Sequence, residues 1–453
     1  MFGLLLLAVV ASRPGIASAA VVTPAPATTT IATLAAAAGD TTARPITLDE
    51  AVAMAERNAP SVIQAEGQRR TSAAGVRAAY ASFIPSLSLS AGASRQLQKG
   101  QTQYQSGQAL PPASEPWTYN AGLSANVDLF LGGRRFFDLA QTRAQVGVAN
   151  ANLVTQRYDA VLAAKQQFFA VLAARESELA ARAQLEQAQQ QLHASVLQLR
   201  ARLVTRSDSL RSEIAVHNAQ LAVTQSRVAL DQANASLTRA VGAPSPVTAA
   251  SDSLPPEGLA VDDPALRALA LNGPLVRQSA ASLDAARSAL RSSWTTYLPT
   301  LSAGYARRGS GIDPGFTLSP ANSSYNGSFT LSLSFPIFDQ LQRQQQVTQA
   351  QVARDEAEAA ARDTRLAALE SLTQWLGAYH AAEEQVQLQS ATLQAAEEDL
   401  REQTVKYKLG TSTLLDVLTS QTTLNQARHD LIQARYNQRV AKAQLEALVG
   451  RNL

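Results

Sequence analysis

The 453-residue sequence contains no cysteine, which excludes disulfides, thiolate metal sites and a thiol-linked lipid. Aromatic residues are only 5% of the chain, too few for a set of bulky globular cores. The abundance of Ala, Gln, Leu and Arg favours long helices instead. Charge of one sign is also scarce: the net charge is +3, basic residues are interleaved with Asp and Glu, and no basic run carries aromatics. Nucleic acid is therefore not an expected partner. No apolar run reaches the roughly 18 residues that a membrane-spanning helix needs. The longest, Phe2 to Ala11, precedes a small-residue site at Ala17-Ser18-Ala19 and reads as a signal peptide over 1–19. Residues 20–45 are rich in Ala, Thr and Pro and are expected to be disordered.

Proline is missing altogether from 134–241 and from 341–449. In both stretches leucines recur at seven-residue spacing, as in Leu185, Leu192 and Leu199, a pattern of coiled-coil-like helix packing. Each stretch carries a helix-ending signal mid-way, Arg202-Leu203-Val204-Thr205 in one and Lys408-Leu409-Gly410-Thr411 in the other. Two helical hairpins follow, each with an outgoing arm of about 67 residues, or about 100 Å at helical rise, and a returning arm about half as long.

The hairpins belong to a tandem repeat. Asn58-Ala59-Pro60 recurs as Asn272-Gly273-Pro274, and Pro85 as Pro299. Further on, at a slightly shorter shift, Phe130 recurs as Phe338, Arg135 as Arg343, Asp208 as Asp416 and Val241-Gly242 as Val449-Gly450. The expected organisation is a first repeat at 46–242, a Pro-rich linker at 243–263 and a second repeat at 264–453. Each repeat reads as a short helix, two strands and the long helical hairpin. The first helix opens at Thr47-Leu48-Asp49-Glu50 and is expected to run to about Tyr80.

Strands are expected near 83–93, 117–130, 297–307 and 325–338, separated in the first repeat by a polar loop that begins at Ser94. Their alternation puts Leu87, Leu89, Leu123, Val127, Leu301, Phe329, Leu331 and Leu333 on one face. Small uncharged residues such as Ser88, Ser124 and Thr330 take the other. An apolar outer face with a polar inner one is the pattern of a transmembrane β-barrel facing lipid. Four strands cannot close a barrel, so several chains would have to share one. The competing reading is a periplasmic helical scaffold with a soluble β-sheet. A charge on the apolar strand face would favour the scaffold.

Over 46–450 the chain resembles the TolC-like outer-membrane efflux proteins. The resemblance rests on the tandem repeat and on the aromatic-x-Pro-x-Leu strand openings. It rests also on Leu129-Phe130-Leu131-Gly132-Gly133-Arg134-Arg135 and on Tyr407-Lys408-Leu409-Gly410-Thr411-Ser412-Thr413-Leu414-Leu415-Asp416, followed by Asn425-Gln426-Ala427. It implies a mainly helical fold that assembles as a homotrimer with a twelve-strand outer-membrane barrel and a twelve-helix periplasmic tunnel. It further implies a passive exit duct working with a periplasmic adaptor and an inner-membrane transporter. At the periplasmic constriction the family's tyrosine and aspartates match Tyr407, Asp416 and Asp208. Ser412 stands in place of the family's arginine and Thr419 in place of a further acidic residue, which leaves Arg206 as the basic candidate.

From the residues alone, Asp416 and Asp208 either ring a pore or merely cap the helices they begin, and Tyr407 either gates or packs. His193, His217, His380 and His429 are scattered, and Gly132-Gly133 lacks the Lys-Ser/Thr of a phosphate loop. No enzymatic activity, metal or cofactor is expected.

Overall fold

The structure, a computed structural model, describes residues 43–95, 104–105, 108–109, 117–201, 204–250, 263–317 and 323–453. The expected signal peptide, residues 20–42 of the segment read as disordered, most of the loop after Ser94, Arg202 and the centre of the linker lie outside those residues.

The chain begins with a strand, β1 (Arg44–Ile46), and a helix, α1 (Leu48–Asn58). Thr47 and Glu50 form a reciprocal cap: the Thr47 hydroxyl accepts from the Glu50 N–H, and the Glu50 carboxylate accepts from the Thr47 N–H, both at 3.2 Å. The helix stops well short of Tyr80. Ala59 is extended at φ −60°, ψ 131°, because Pro60 disfavours helical geometry in the residue before it; a second helix, α2 (Pro60–Ala81), starts at once.

Strand β2 (Ser86–Arg95), the two-residue pair β3 (Tyr104–Gln105) and β4 (Gln108–Ala109), and β5 (Trp117–Leu131) follow. The long hairpin consists of α3 (Arg134–Arg200), 67 residues, and α4 (Arg206–Val241), 36 residues. Next, β6 (Val247–Ala249) pairs in parallel with β1, placing Ile46 opposite Ala249. Both strands fall in segments read from sequence as disordered or linking. Three residues are too short a run to show periodicity, yet Ile46, Val247 and Ala249 are fully buried.

The second repeat supplies α5 (Asp263–Ala270), α6 (Pro274–Ser293), β7 (Thr300–Asp313), β8 (Ser323–Ser334), α7 (Gln342–Lys408) and α8 (Leu414–Val449). The arms α7 and α8 contain 67 and 36 residues, the lengths of α3 and α4. The recurring Val-Gly has a geometric reason. Gly242 and Gly450 end the returning arms at φ 62° and 73°. A Cβ there would sit 2.8 Å from the Asn58 carbonyl oxygen or 2.9 Å from the Pro274 ring, where the short helices begin.

Packing inside each hairpin is by small residues at close approach, with Ala164, Ala219 and Ala434 fully buried. The largest apolar cluster lies where β1, β6 and α1 cover α3 and α4, around Phe168, Val171 and Leu237. A matching cluster, around Leu266, Tyr379 and Leu445, sits where α5 covers α7 and α8. The two repeats are tied at this level by Lys165 and Glu446, 2.5 Å apart with side chains only 11% and 13% exposed. Tyr158 also donates to the Gly450 carbonyl at 2.5 Å.

The main sheet is antiparallel in the order β2-β5-β7-β8. Its register is continuous across all four strands, with Leu89, Leu123, Arg307 and Gly327 in one row. One irregularity, between Asp128 and Phe130, interrupts the alternation at Leu129 and brings Phe130 opposite Leu301.

Candidate functional site

Two regions hold the candidate residues: the hairpin turns and the sheet. At each turn the returning helix starts with Thr-x-x-Asp. The Thr205 hydroxyl and N–H donate to the Asp208 carboxylate at 2.7 and 3.1 Å. Thr413 does the same to Asp416 at 2.7 and 2.9 Å, and the Ser412 hydroxyl lies 3.1 Å from that carboxylate. In both, the aspartate N–H returns a bond to the threonine hydroxyl at 3.3 Å. The hydrogen bond from Thr205 holds the Asp208 carboxyl below its ordinary range, and that from Thr413 does so for Asp416. Capping thus fixes these carboxylates in their ionised form at the positive ends of two helices.

Tyr407, in the last turn of α7, is half-buried, and its hydroxyl donates to the Gln198 side chain of α3 at 3.2 Å. Burial raises its phenol above the usual range, and the charge of Asp208 adds to the shift. Tyr407 and Gln198 therefore join the two hairpins. Asp416 bonds within its own turn, and Arg206 is exposed with no ion pair to any described residue. Thr419 donates to the Leu415 carbonyl of its own helix at 2.9 Å. Gln198 was not a candidate from sequence, since its pairing with Tyr407 spans two helices more than 200 residues apart.

On the sheet, Leu87, Leu89, Leu123, Val127, Leu301, Phe329, Leu331 and Leu333 share one face, and Leu89 and Leu333 are 80% and 72% exposed. Val127 and Leu301 are half-buried. The other face is polar: Ser88 and Ser124 hydroxyls lie 2.6 Å apart across β2 and β5. A charge does occupy the apolar face, contrary to the sequence reading. Arg307 stands opposite Leu123 and Gly327, with its guanidinium 5.5 Å from the centre of the Tyr325 ring. Stepping by two from Leu301 would have found it. It lies toward the end of the sheet remote from the helices. Its partner Gly327 lies eight positions before exposed Phe335, which follows β8. In a membrane barrel with strands tilted ~40°, that spacing would put Arg307 about 20 Å from Phe335, near the margin of a ~25 Å apolar band, where arginine is cheaply accommodated.

Sequence reasoning also missed a pair of repeated contacts at the junction of strand and helix. Arg135 lies 5.3 Å from the Phe83 ring centre, and Arg343 lies 5.1 Å from that of Tyr297. The aromatic of the repeated strand opening is the platform for the repeated arginine. Matching Phe83 to Tyr297 and Arg135 to Arg343 between repeats was the available signal.

Among the described residues no helix is long and apolar enough to cross a membrane, and no group of His, Cys, Asp and Glu could hold a metal.

No curated protein sequence matches the chain. Solved structures do match in fold. Crystal structures of CusC give a TM-score of 0.73 at 17% identity, covering 89% of this chain and 92% of that one. A membrane protein from Pseudomonas aeruginosa gives 0.73 at 19% identity, covering 91% and 92%. The outer membrane protein VceC from Vibrio cholerae gives 0.69 at 17% identity, covering 89% and 96%. A family model, the outer membrane efflux protein, matches residues 51–243 and 265–451, both repeats of the chain. With its paired hairpins, two-faced sheet and this match, the chain belongs to the outer membrane efflux protein family.

Proposed function

We propose that the chain is one subunit of a homotrimeric, passive exit duct. It would serve a tripartite efflux or type I secretion assembly, carrying substrates from an inner-membrane pump across the periplasm and the outer membrane. The observation that carries this reading is a four-stranded sheet with one apolar, solvent-exposed face and with the outer edges of β2 and β8 unpaired among the described residues. Membrane barrels of bacterial outer membranes start at about eight strands, and an open edge in lipid leaves backbone groups unsatisfied. Three copies would supply twelve strands and remove every edge.

The helices support the same assembly. Leu221 and Val228 on α4, and Leu366 and Leu388 on α7, are exposed on a single chain and would be covered by neighbours in a ring. Threefold symmetry would then repeat Asp416 and Asp208 around a periplasmic constriction as acidic rings favouring cations, with Tyr407 and Arg206 beside them. Exposed Leu409, Leu415 and Leu210 at the turns offer the adaptor an apolar landing. In the mature protein, residues 1–19 would be removed, 46–242 and 264–453 would form the repeats, and 243–263 would join them.

The test is the native mass of the protein extracted from outer membranes in detergent. A three-chain species is expected; a water-soluble monomer needing no detergent would sink the duct.

A further inference from the structure

The outward sheet face carries a feature that neither a plain lipid wall nor a gate requires. Beyond Arg307, away from the helices, lies a pocket of about 340 Å³, floored by Ala91, Ala121 and Gly309 and walled by Tyr119, Phe316 and Tyr325. Its volume is at the low end of small-molecule sites, which start at ~300 Å³.

The pocket is built rather than incidental. Tyr325 lies flat over Gly309, where a Cβ would come within 2.6 Å of the ring. Only the absence of a side chain at Gly309 lets the ring lie down on the sheet, and the lowered ring is the surface on which the Arg307 guanidinium rests. The opposite wall is held by two hydrogen bonds: Tyr119 donates to the Gly315 carbonyl at 3.1 Å and accepts from the Thr317 N–H at 2.6 Å. These fix Phe316, whose ring centre is 5.1 Å from that of Trp117. Asp313, six residues further out on the same face, accepts from the Gly315 N–H at 3.2 Å and so faces its own turn.

We propose that this pocket and Arg307 hold the headgroup of an outer-leaflet glycolipid, with a phosphate paired to the Arg307 guanidinium and a sugar ring against the aromatic walls. A guanidinium offers a phosphate two parallel N–H donors, and the contact gains strength in low dielectric. Flat aromatic rings with a polar edge suit an occupant that is half apolar and half wet. The occupant is a lipid because the next residues of this face toward the helices are exposed Tyr305, Phe329 and Leu331, over which acyl chains continue. The proposal rests on the sheet being membrane-embedded.

The experiment reconstitutes the full chain, as the assembled oligomer, into phosphatidylcholine nanodiscs with and without diphosphoryl lipid A. Retained lipid is counted by native mass spectrometry, and the unfolding midpoint is followed. Wild type should retain lipid A and unfold at a higher temperature with it. Arg307→Gln should retain it about tenfold less, Arg307→Lys should fall between, and Gly309→Val should lose retention by displacing Tyr325. Equal retention by wild type and Arg307→Gln, or equal retention of a dephosphorylated lipid A, would overturn the phosphate contact. Equal retention of phosphatidylglycerol would overturn the sugar contact, and an equal shift from inorganic phosphate alone would overturn the lipid. Recovery of wild type outside the discs, soluble without detergent, would remove the membrane-embedded sheet itself, a result distinct from insertion without lipid preference.

Discussion

At the scale of single residues, the turns are governed by two threonines. Replacing Thr413 with Ala removes the acceptor for the Asp416 N–H and the hydroxyl that donates to its carboxylate, and should cost about 1 kcal/mol of stability. Chemical denaturation of the detergent-solubilised protein would measure it; an unchanged midpoint would refute the cap. The pH dependence has a definite sign. Asp416 and Asp208 titrate lower folded than unfolded, so their stabilisation is complete above the ordinary carboxylate range and is lost as pH falls through the depressed values. Hydrogen exchange at Asp416 N–H should accelerate, relative to a helix-interior amide, only on the acid side. A second residue-scale contrast is at the turn from sheet to long helix. The first repeat uses Gly132 and Gly133 at φ 59° and 77°, whereas the second places Gln340 and Leu341 at 58° and 65°. Left-handed backbone is costly for leucine, and Leu341 is exposed, so Leu341→Gly should stabilise by about 1 kcal/mol, seen as a raised unfolding midpoint. The caps were legible because Thr-x-x-Asp is a local signal. The Arg343–Tyr297 stack was not, because its partners lie 46 positions apart and nothing local marks it.

At the scale of elements, the two faces of the sheet decide where each strand can reside. Leu331, exposed on the apolar face in the row of Ala303, would sit well inside the proposed band, unlike Arg307. Leu331→Arg should cost roughly 2–4 kcal/mol of insertion stability, read as the fraction folded into vesicles across a urea series. Unchanged insertion would reverse the assignment of faces. Period-two alternation made the strands and their apolar residues readable, as with Leu87 and Leu89 or Leu331 and Leu333. Their ends were less so: β7 extends to Asp313, past the expected 307, because Arg307-Arg308 and the glycines around them carry no apolar period. The long helices were legible from their missing prolines, and the signal for the break between α1 and α2 is Pro60, which holds Ala59 out of helical geometry. The strands β1 and β6 were hidden, since pairing across about 200 residues leaves no trace in either three-residue sequence.

At the scale of the whole molecule, the repeat made the architecture readable: equal shifts predicted equal hairpins, and α3 with α4 match α7 with α8 in length. What the repeat could not announce is how the copies join. Lys165 and Glu446 form a largely buried ion pair between them, and the Leu453 N–H also donates to Glu446 at 3.2 Å. Breaking such a pair from one side strands a charge, so Lys165→Met should cost about 3 kcal/mol, and Glu446→Gln added to it should recover part of that loss in a double-mutant cycle. Additive effects would show that the pair is not coupled. The same pair sets an order in time. Lys165 emerges from the ribosome 281 residues before its partner. The first copy therefore cannot close its waist until α8 of the second has been made.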